Sequence, residues 1–419
     1  MNYTKISSSV VAILPILFIL GSASLNVALV LIFCSFFWLI ISKKIPTNSL
    51  YNENWKIIFF IFFFYTIIIS IFSIENDNAL RSSISQIRFF VLLLFLYYFF
   101  DTKFLKLLIV PCWSIIILLV CLDTNLQFFT GIDIFGYKAE GFGGDNRVLF
   151  SENIGRLGGP FGDELIVGSF ISKTSAPLIF YYMLKLKKLN YNYQILTIFF
   201  LILIFETVLI SGERTSFLIT FLVFIFGFFY CFKFRTIALS FSIIIFSLTV
   251  AFASTNFLKS RYVEVIKIIN DLPSSSYGRI YSSSYAIWKE NILFGVGNKN
   301  YHVNCKKLID PNPQSKYSYC SPNHSHNNIL QFLVELGLIG TIIFYIFIFY
   351  LFVFFKNNLK YLRTIDEDNK SFFTGSSIVT IYYIFPSIIP AGSFFTTWNA
   401  TFFWLHLGIM LSIIKNNEK

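Results

Sequence analysis

Charge is what this sequence has least of. Only 13% of its 419 residues are Asp, Glu, Lys or Arg, about half the ~25% of an ordinary soluble domain, which excludes a water-soluble globule. The elements of soluble nucleotide chemistry are missing too. No Walker phosphate loop occurs, and Gly295-Val296-Gly297 has neither the third glycine nor the preceding strand of a dinucleotide fingerprint. No internal repeat divides the chain, which counts against a transporter built from two similar halves.

What is present is apolar: 56% of residues are hydrophobic and 20% aromatic, with a mean hydropathy of +0.68. A bilayer-crossing helix takes ~20 residues. By that window the chain reads as an all-α polytopic membrane protein, a single membrane domain over 1–419 with about twelve transmembrane helices. They are expected near 6–20, 25–42, 55–73, 85–100, 104–122, 165–184, 193–210, 214–231, 236–254, 327–355, 372–389 and 395–414. The tenth is too long for one straight span and is expected to be a partly external helix running into a membrane helix near Gly337 and Gly340. Lys5, an apolar run and the small residues Gly21 to Ser24 imitate a secretory signal. A second apolar run follows with hardly a turn, so the first is expected to stay as a span.

Lys and Arg mark cytoplasmic segments. With the N-terminus inside, the cytoplasmic segments collect seventeen cations against six acidic residues, a surplus equal to the whole formal charge of +11. Both termini are therefore expected in the cytoplasm. The basic balance reflects topology and offers no argument for nucleic-acid binding.

Two longer segments, 123–164 and 255–325, fall on the external side. Long connections are usually functional or disordered, and these hold too much Gly, Tyr, Trp, Leu and Ile to be tethers, so the chemistry is expected there. Cys34, Cys112, Cys121 and Cys231 lie in expected spans and read as packing residues. Cys305 and Cys320 share the larger loop, where an oxidising compartment favours a disulfide. The alternatives are free thiols, or a zinc site in which His302 and His324 complete an H-x2-C-x14-C-x3-H pattern.

The densest constellation closes that loop. His326-Asn327 is followed, nine residues on, by Gly337-x2-Gly340-Thr341, written H-N-x9-G-x2-G-T. This resembles the signature of the O-antigen ligase family, membrane glycosyltransferases that join undecaprenyl-pyrophosphate-linked polysaccharide to lipid A-core, and of the related O-antigen polymerases. Ser211-Gly212-Glu213-Arg214-Thr215-Ser216-Phe217-Leu218 is similar to the family's arginine segment between two spans. Gly278-Arg279, Trp288 and Gly295-Val296-Gly297 are similar to its large-loop pattern, and Arg156 to Lys173 to the segment leading into its central helices.

The resemblance implies a metal-independent enzyme without cofactors in the bacterial inner membrane, its active site facing the periplasm. Its partners would be an undecaprenyl-pyrophosphate-linked glycan donor, a lipid A-core acceptor and membrane lipids. The sister reaction, polymerisation of repeat units, uses the same donors. A polytopic transporter or flippase is the reading from another class. Such an enzyme must hold a polyanion, and a guanidinium fork binds phosphate bidentately while staying charged. Arg214 at the mouth of a span, with Arg279, is the expected catalytic arginine; the structural alternative for Arg214 is a snorkelling anchor paired with Glu213. His326 is the candidate base, because imidazole accepts a proton near neutrality. Arg156, Arg147, His324, Asn327 and Glu335 are candidate substrate-binding residues. Lys173, Glu206 and Glu335, costly within a membrane unless paired, are candidates for orienting an arginine or histidine. His406, alone in an apolar span, reads as a core residue.

Overall fold

The computed structural model describes residues 3–140, 155–231, 256–308, 324–385 and 390–418. Among the described residues every regular element is helical. The helices are α1 (Tyr3–Ile19), α2 (Ser22–Ile41), α3 (Asn54–Ile71), α4 (Asn76–Ser85), α5 (Ile87–Phe99), α6 (Val110–Thr130), α7 (Val167–Lys185), α8 (Tyr191–Ile210) and α9 (Arg214–Cys231). They continue with α10 (Asn256–Asn270), α11 (Ser276–Glu290), α12 (Tyr301–Leu308), α13 (Asn328–Asn357), α14 (Leu359–Thr364), α15 (Glu367–Ile384) and α16 (Thr397–Glu418).

Eight helical runs among the described residues are long and apolar enough to cross a membrane. This is a multi-pass membrane protein, and the reason is visible on its surface. Leu31, Phe37 and Trp38 on α2, and Phe349 and Phe352 on α13, are each more than half exposed, which a bilayer tolerates and water does not. Three further expected spans have helices in place but fall outside the eight. The helix α1 is only 17 residues long, α7 carries Lys173 and Lys185, and α15 opens on Glu367, Asp368 and Lys370. The span expected at 236–254 lies outside the described residues.

The helices α7 and α16 form the centre. Fifteen of the 19 residues of α7 are buried, and it packs against α6, α8, α9 and α15. Approach to α15 is close because Gly375 meets Pro177, where a Cβ would stand 2.5 Å from the Pro177 nitrogen; small residues permit such contact between membrane helices. At one end of the bundle Lys185 pairs with Asp368 at 2.5 Å and Lys188 with Glu367 at 2.6 Å. These are residues expected together on the cytoplasmic side.

The opposite end carries the long connections, whose described residues hold regular structure and hydrogen bonds. The helix α6 runs to Thr130, past the expected end at 122, and stops where Gly131 takes a left-handed φ of 79°. The added turns hold the loop down: Asp123 accepts from Ile134 N at 2.8 Å, and the Gln127 side chain binds Tyr137 O and Gly159 N. Among its described residues the second connection is largely helical, as α10, α11 and α12. Ser275 caps α11 by accepting from Gly278 N at 3.0 Å.

Candidate active site

The site begins where α8 turns into α9. Gly212 supplies the turn with φ 73°, leaving Glu213 just before the helix and Arg214 as its first residue. Adjacent residues at a helix start diverge, and these two take different partners. The Glu213 carboxylate accepts from Gly168 N at 2.7 Å, Ser169 N at 3.1 Å and Ser216 Oγ at 2.9 Å. It thus satisfies the first amides of α7, where helix geometry leaves donors unpaired and favours negative charge. Burial pushes its carboxyl up, opposed by Arg156 and these donors. Lys173 braces the same seat from inside, donating to Ser169 Oγ at 2.8 Å and Asn399 Oδ1 at 3.1 Å, with the Tyr383 ring 5.2 Å away.

Arg214 therefore does not pair with Glu213, as its reading as a simple anchor required. Its guanidinium pairs with Glu264 of α10. One helical turn earlier, Arg261 donates Nε to Gly212 O at 3.4 Å, and the next residue, Tyr262, donates its hydroxyl to Leu209 O at 3.1 Å. These bonds seat α10 on the α8–α9 turn. Arg156 comes in from the first long connection, donating to Leu165 O at 2.6 Å. The three guanidiniums feel one another: burial lowers the pKa of Arg261, and Arg214 and Arg156 lower it further. The Nε atoms of Arg156 and Arg214 are buried without a hydrogen-bond partner. Like charges gathered with buried donors unspent make a place for an anion.

The histidines close the other side. Asn327 caps α13, its Oδ1 accepting from Ile329 N at 3.0 Å and Leu330 N at 3.1 Å. His326, just before it, holds a left-handed φ of 52°, a conformation costly for a residue with a side chain unless its surroundings enforce it. Here they do: His326 O accepts from Ala391 N at 2.8 Å, and His324 Nε2 binds Ala391 O at 3.1 Å. That bond puts the His324 proton on Nε2, facing the carbonyl. The two imidazoles lie 4.1 Å apart between centroids. Burial first, then His324, pulls His326 down to about 4, so it is neutral at ordinary pH.

Two links join the halves. Thr215 Oγ1, beside Arg214, donates to Pro390 O at 2.9 Å, and Ala391 is the residue that holds both histidines. Tyr277 of α11 stands edge-on to the His326 ring at 6.1 Å and interacts electrostatically with Arg261.

The glycines of the motif have mechanical roles. Gly337 breaks α13 with φ 67° and ψ −175°, a region essentially reserved for glycine. The segment 292–297 lies along the break: Val296 N binds Val334 O at 2.8 Å, Gly297 N binds Glu335 O at 2.9 Å, Leu338 N binds Ile292 O at 2.8 Å and Ile339 N binds Leu293 O at 3.1 Å. A Cβ on Gly337 would run into the Leu293 carbonyl, and one on Gly295 into the Gly337 nitrogen. Around the kink, Tyr65 donates to Leu336 O at 2.7 Å over Gly340, and Thr341 Oγ1 takes Gly337 O at 2.6 Å.

The structure thus brings Arg156, Arg214, His324, His326 and Asn327 to one region. Arg279 is directed to the turn before its own helix, donating Nη1 to Ser274 O at 3.0 Å. Glu335 is 1% exposed beneath the kink beside Gln331, and its Oε2 is buried without a hydrogen-bond partner. Arg147 and Cys320 lie outside the described residues. Cys305 is disulfide-bonded and buried against Tyr301. His302 Nδ1 lies 3.1 Å from Lys299 O. His406 is buried beside Ser376, and Glu206 is served by Asn125 of α6. Sequence reading passed over Arg261, Glu264 and Tyr277. The signal was an amphipathic stretch inside a segment read only as a loop, which puts Arg261 and Glu264 one turn apart.

Residues 199–345 match the family model described as O-antigen ligase. The matched segment runs from α8 through the kink of α13 and contains Arg214, Arg261, Glu264, Tyr277, His324 and His326; Arg156 and the Pro390-Ala391 link lie beyond it. No curated protein matches the chain by sequence.

Proposed function

We propose that this chain, whose residues 199–345 match the O-antigen ligase family model, transfers polysaccharide from an undecaprenyl-pyrophosphate donor to lipid A-core at the periplasmic face of the bacterial inner membrane. The observation that carries the reading is the meeting of Arg156, Arg214 and Arg261, with buried donors unspent, and a neutral histidine held by the same short link. In the reaction the acceptor hydroxyl attacks the anomeric carbon of the donor sugar. The bond from that carbon to the pyrophosphate oxygen breaks, and polyprenyl pyrophosphate departs with the electron pair. Arg214 and its neighbours hold the leaving charge as it develops. His326 takes the hydroxyl proton; its imidazole rises toward neutral pKa when a phosphate anion lies near, because a negative neighbour favours the protonated form.

The activated pyrophosphate linkage supplies the free energy, so transfer needs neither nucleotide nor metal. A repeat-unit polymerase would use the same grip, and the H-N-x9-G-x2-G-T spacing favours the ligase. Deleting the gene decides: a ligase deletion leaves lipid A-core without polymer while lipid-linked polymer accumulates. Core bearing a single repeat unit would make the protein the polymerase instead, and unchanged surface polysaccharide would overturn both.

A further inference from the structure

Two carboxylates face the three guanidiniums, and they are held very differently. Glu213 is locked by two backbone amides and a serine hydroxyl, and its carboxylate is part of the frame of α7. The Glu264 side chain is 54% exposed, against 16% for its partner Arg214. It stands on the outer face of α10 beside Val263 and Ile266, both exposed, and its ion pair is with Arg214. The surrounding buried Nε donors of Arg214 and Arg156 have no partner.

We infer that Glu264 is an exchangeable counter-ion: its carboxylate occupies the phosphate position on Arg214 in the resting protein, and a pyrophosphate-bearing ligand displaces it. Arg261, on the same helix and bonded to Gly212 O, stays behind as the third phosphate ligand, since its anchor is backbone that does not depend on Glu264. This rests on the arginine reading of the site above and assigns a further binding residue and a competitor to it. The displacement sets the donor's affinity, because every binding event must break the Glu264 to Arg214 pair. Half-exposed ion pairs of this kind are individually weak, which suits a placeholder that must yield.

The test measures binding of inorganic pyrophosphate to the full-length protein in detergent, with wild type, Arg214→Ala, Arg261→Ala, Glu264→Gln, Glu264→Asp and the Arg214→Ala/Glu264→Gln pair. Glu264→Gln should tighten binding about two- to five-fold, and Glu264→Asp, which keeps the charge, should stay closer to wild type. Arg214→Ala and Arg261→Ala should each weaken it, and the Glu264→Gln gain should vanish in the Arg214→Ala background, because the carboxylate acts through that arginine. Should Glu264→Gln fold poorly, Glu264→Ala carries the same expectation. Binding that is unchanged or weaker in a folded Glu264 variant, while Arg214→Ala still weakens it, overturns the counter-ion assignment and leaves the arginine reading standing. Binding indifferent to Arg214→Ala overturns both.

Discussion

Gly337→Ala is the sharpest perturbation available, because the outcome is determined by backbone geometry. At φ 67° and ψ −175° an L side chain is strained by roughly 1–3 kcal/mol. The new Cβ would also collide with the carbonyl of Leu293 and the amide of Gly295, so the segment 292–297 must back away. Four backbone bonds cross that junction. Losing two of them, at ~1 kcal/mol each, brings the local cost to roughly 3–5 kcal/mol. Amide hydrogen exchange is the direct assay: Val296, Gly297, Leu338 and Ile339 should exchange roughly 10²- to 4 × 10³-fold faster than in wild type, while the centre of α7 keeps its protection. Transfer should fall with it, because the break in α13 sets how its capped first half, with His326 just ahead of it, meets the segment 292–297. Gly340→Ala is the control. Its φ is ordinary and none of the four junction bonds is touched; its Cβ meets the Tyr65 ring edge, which must turn away, and the Leu336 Cβ at 2.7 Å, so beyond that local crowding it should cost about 1 kcal/mol, the Tyr65 to Leu336 hydrogen bond. Wild-type exchange and transfer in Gly337→Ala, or a larger effect in Gly340→Ala, would refute the idea that these glycines are a docking joint.

Arg214→Ala should abolish transfer in reconstituted protein, by ~10²-fold or more, and Arg214→Lys should rescue poorly because an ammonium keeps the charge without the fork; near-normal rates in the lysine variant would remove the bidentate role. His326 is held neutral with its folded pKa near 4, so the pH profile of kcat/KM should show no acid limb at the ordinary histidine value of ~6.5 and should decline only as pH approaches 4. By linkage, a lowered histidine pKa stabilises the fold above the unfolded value, a contribution lost progressively as pH falls from ~6.5 through 4; His326→Ala should flatten the His326 share of that loss. Reporter fusions after Lys188 and Lys370 should both read cytoplasm, whereas an insertion near Ser274 should read the external side. An external signal at Lys188 would invert the bundle.

The spans were legible because hydrophobic length is written directly in the chain; ten of the twelve expected segments coincide with α1 to α3, α5 to α9, α13 and α16 to within a few residues, save where α6 runs on to Thr130. That the tenth segment changes character near Gly337 was legible as well, since 30 helical residues exceed one crossing; the left-handed break there was not. What escaped was the order within the connections. The second one contains α10 and α11, whose low apolar content hides helices that only become stable when seated, as Arg261 and Tyr262 are on Gly212 and Leu209. The arginine partners escaped for the same reason. From sequence, Glu213 beside Arg214 is the nearest carboxylate, yet the fold spends it on α7 and brings Glu264 from fifty residues away. The sequence motif weighted Gly295, Gly297 and Gly337 as marks of function, whereas the fold uses them as the faces of a joint.

Pro390 and Ala391 carry no chemistry, yet one accepts the bond from beside Arg214 and the other grips both histidines. They act as a spacer block between two jaws. The arginine side and the histidine side are joined through these two consecutive residues, by Thr215 Oγ1 on one side and by His324 Nε2 and the His326 carbonyl on the other. A version of this protein tuned to a bulkier acceptor would need its alterations here, at the entrance to α16, where a sequence scan for reactive residues finds nothing to look at.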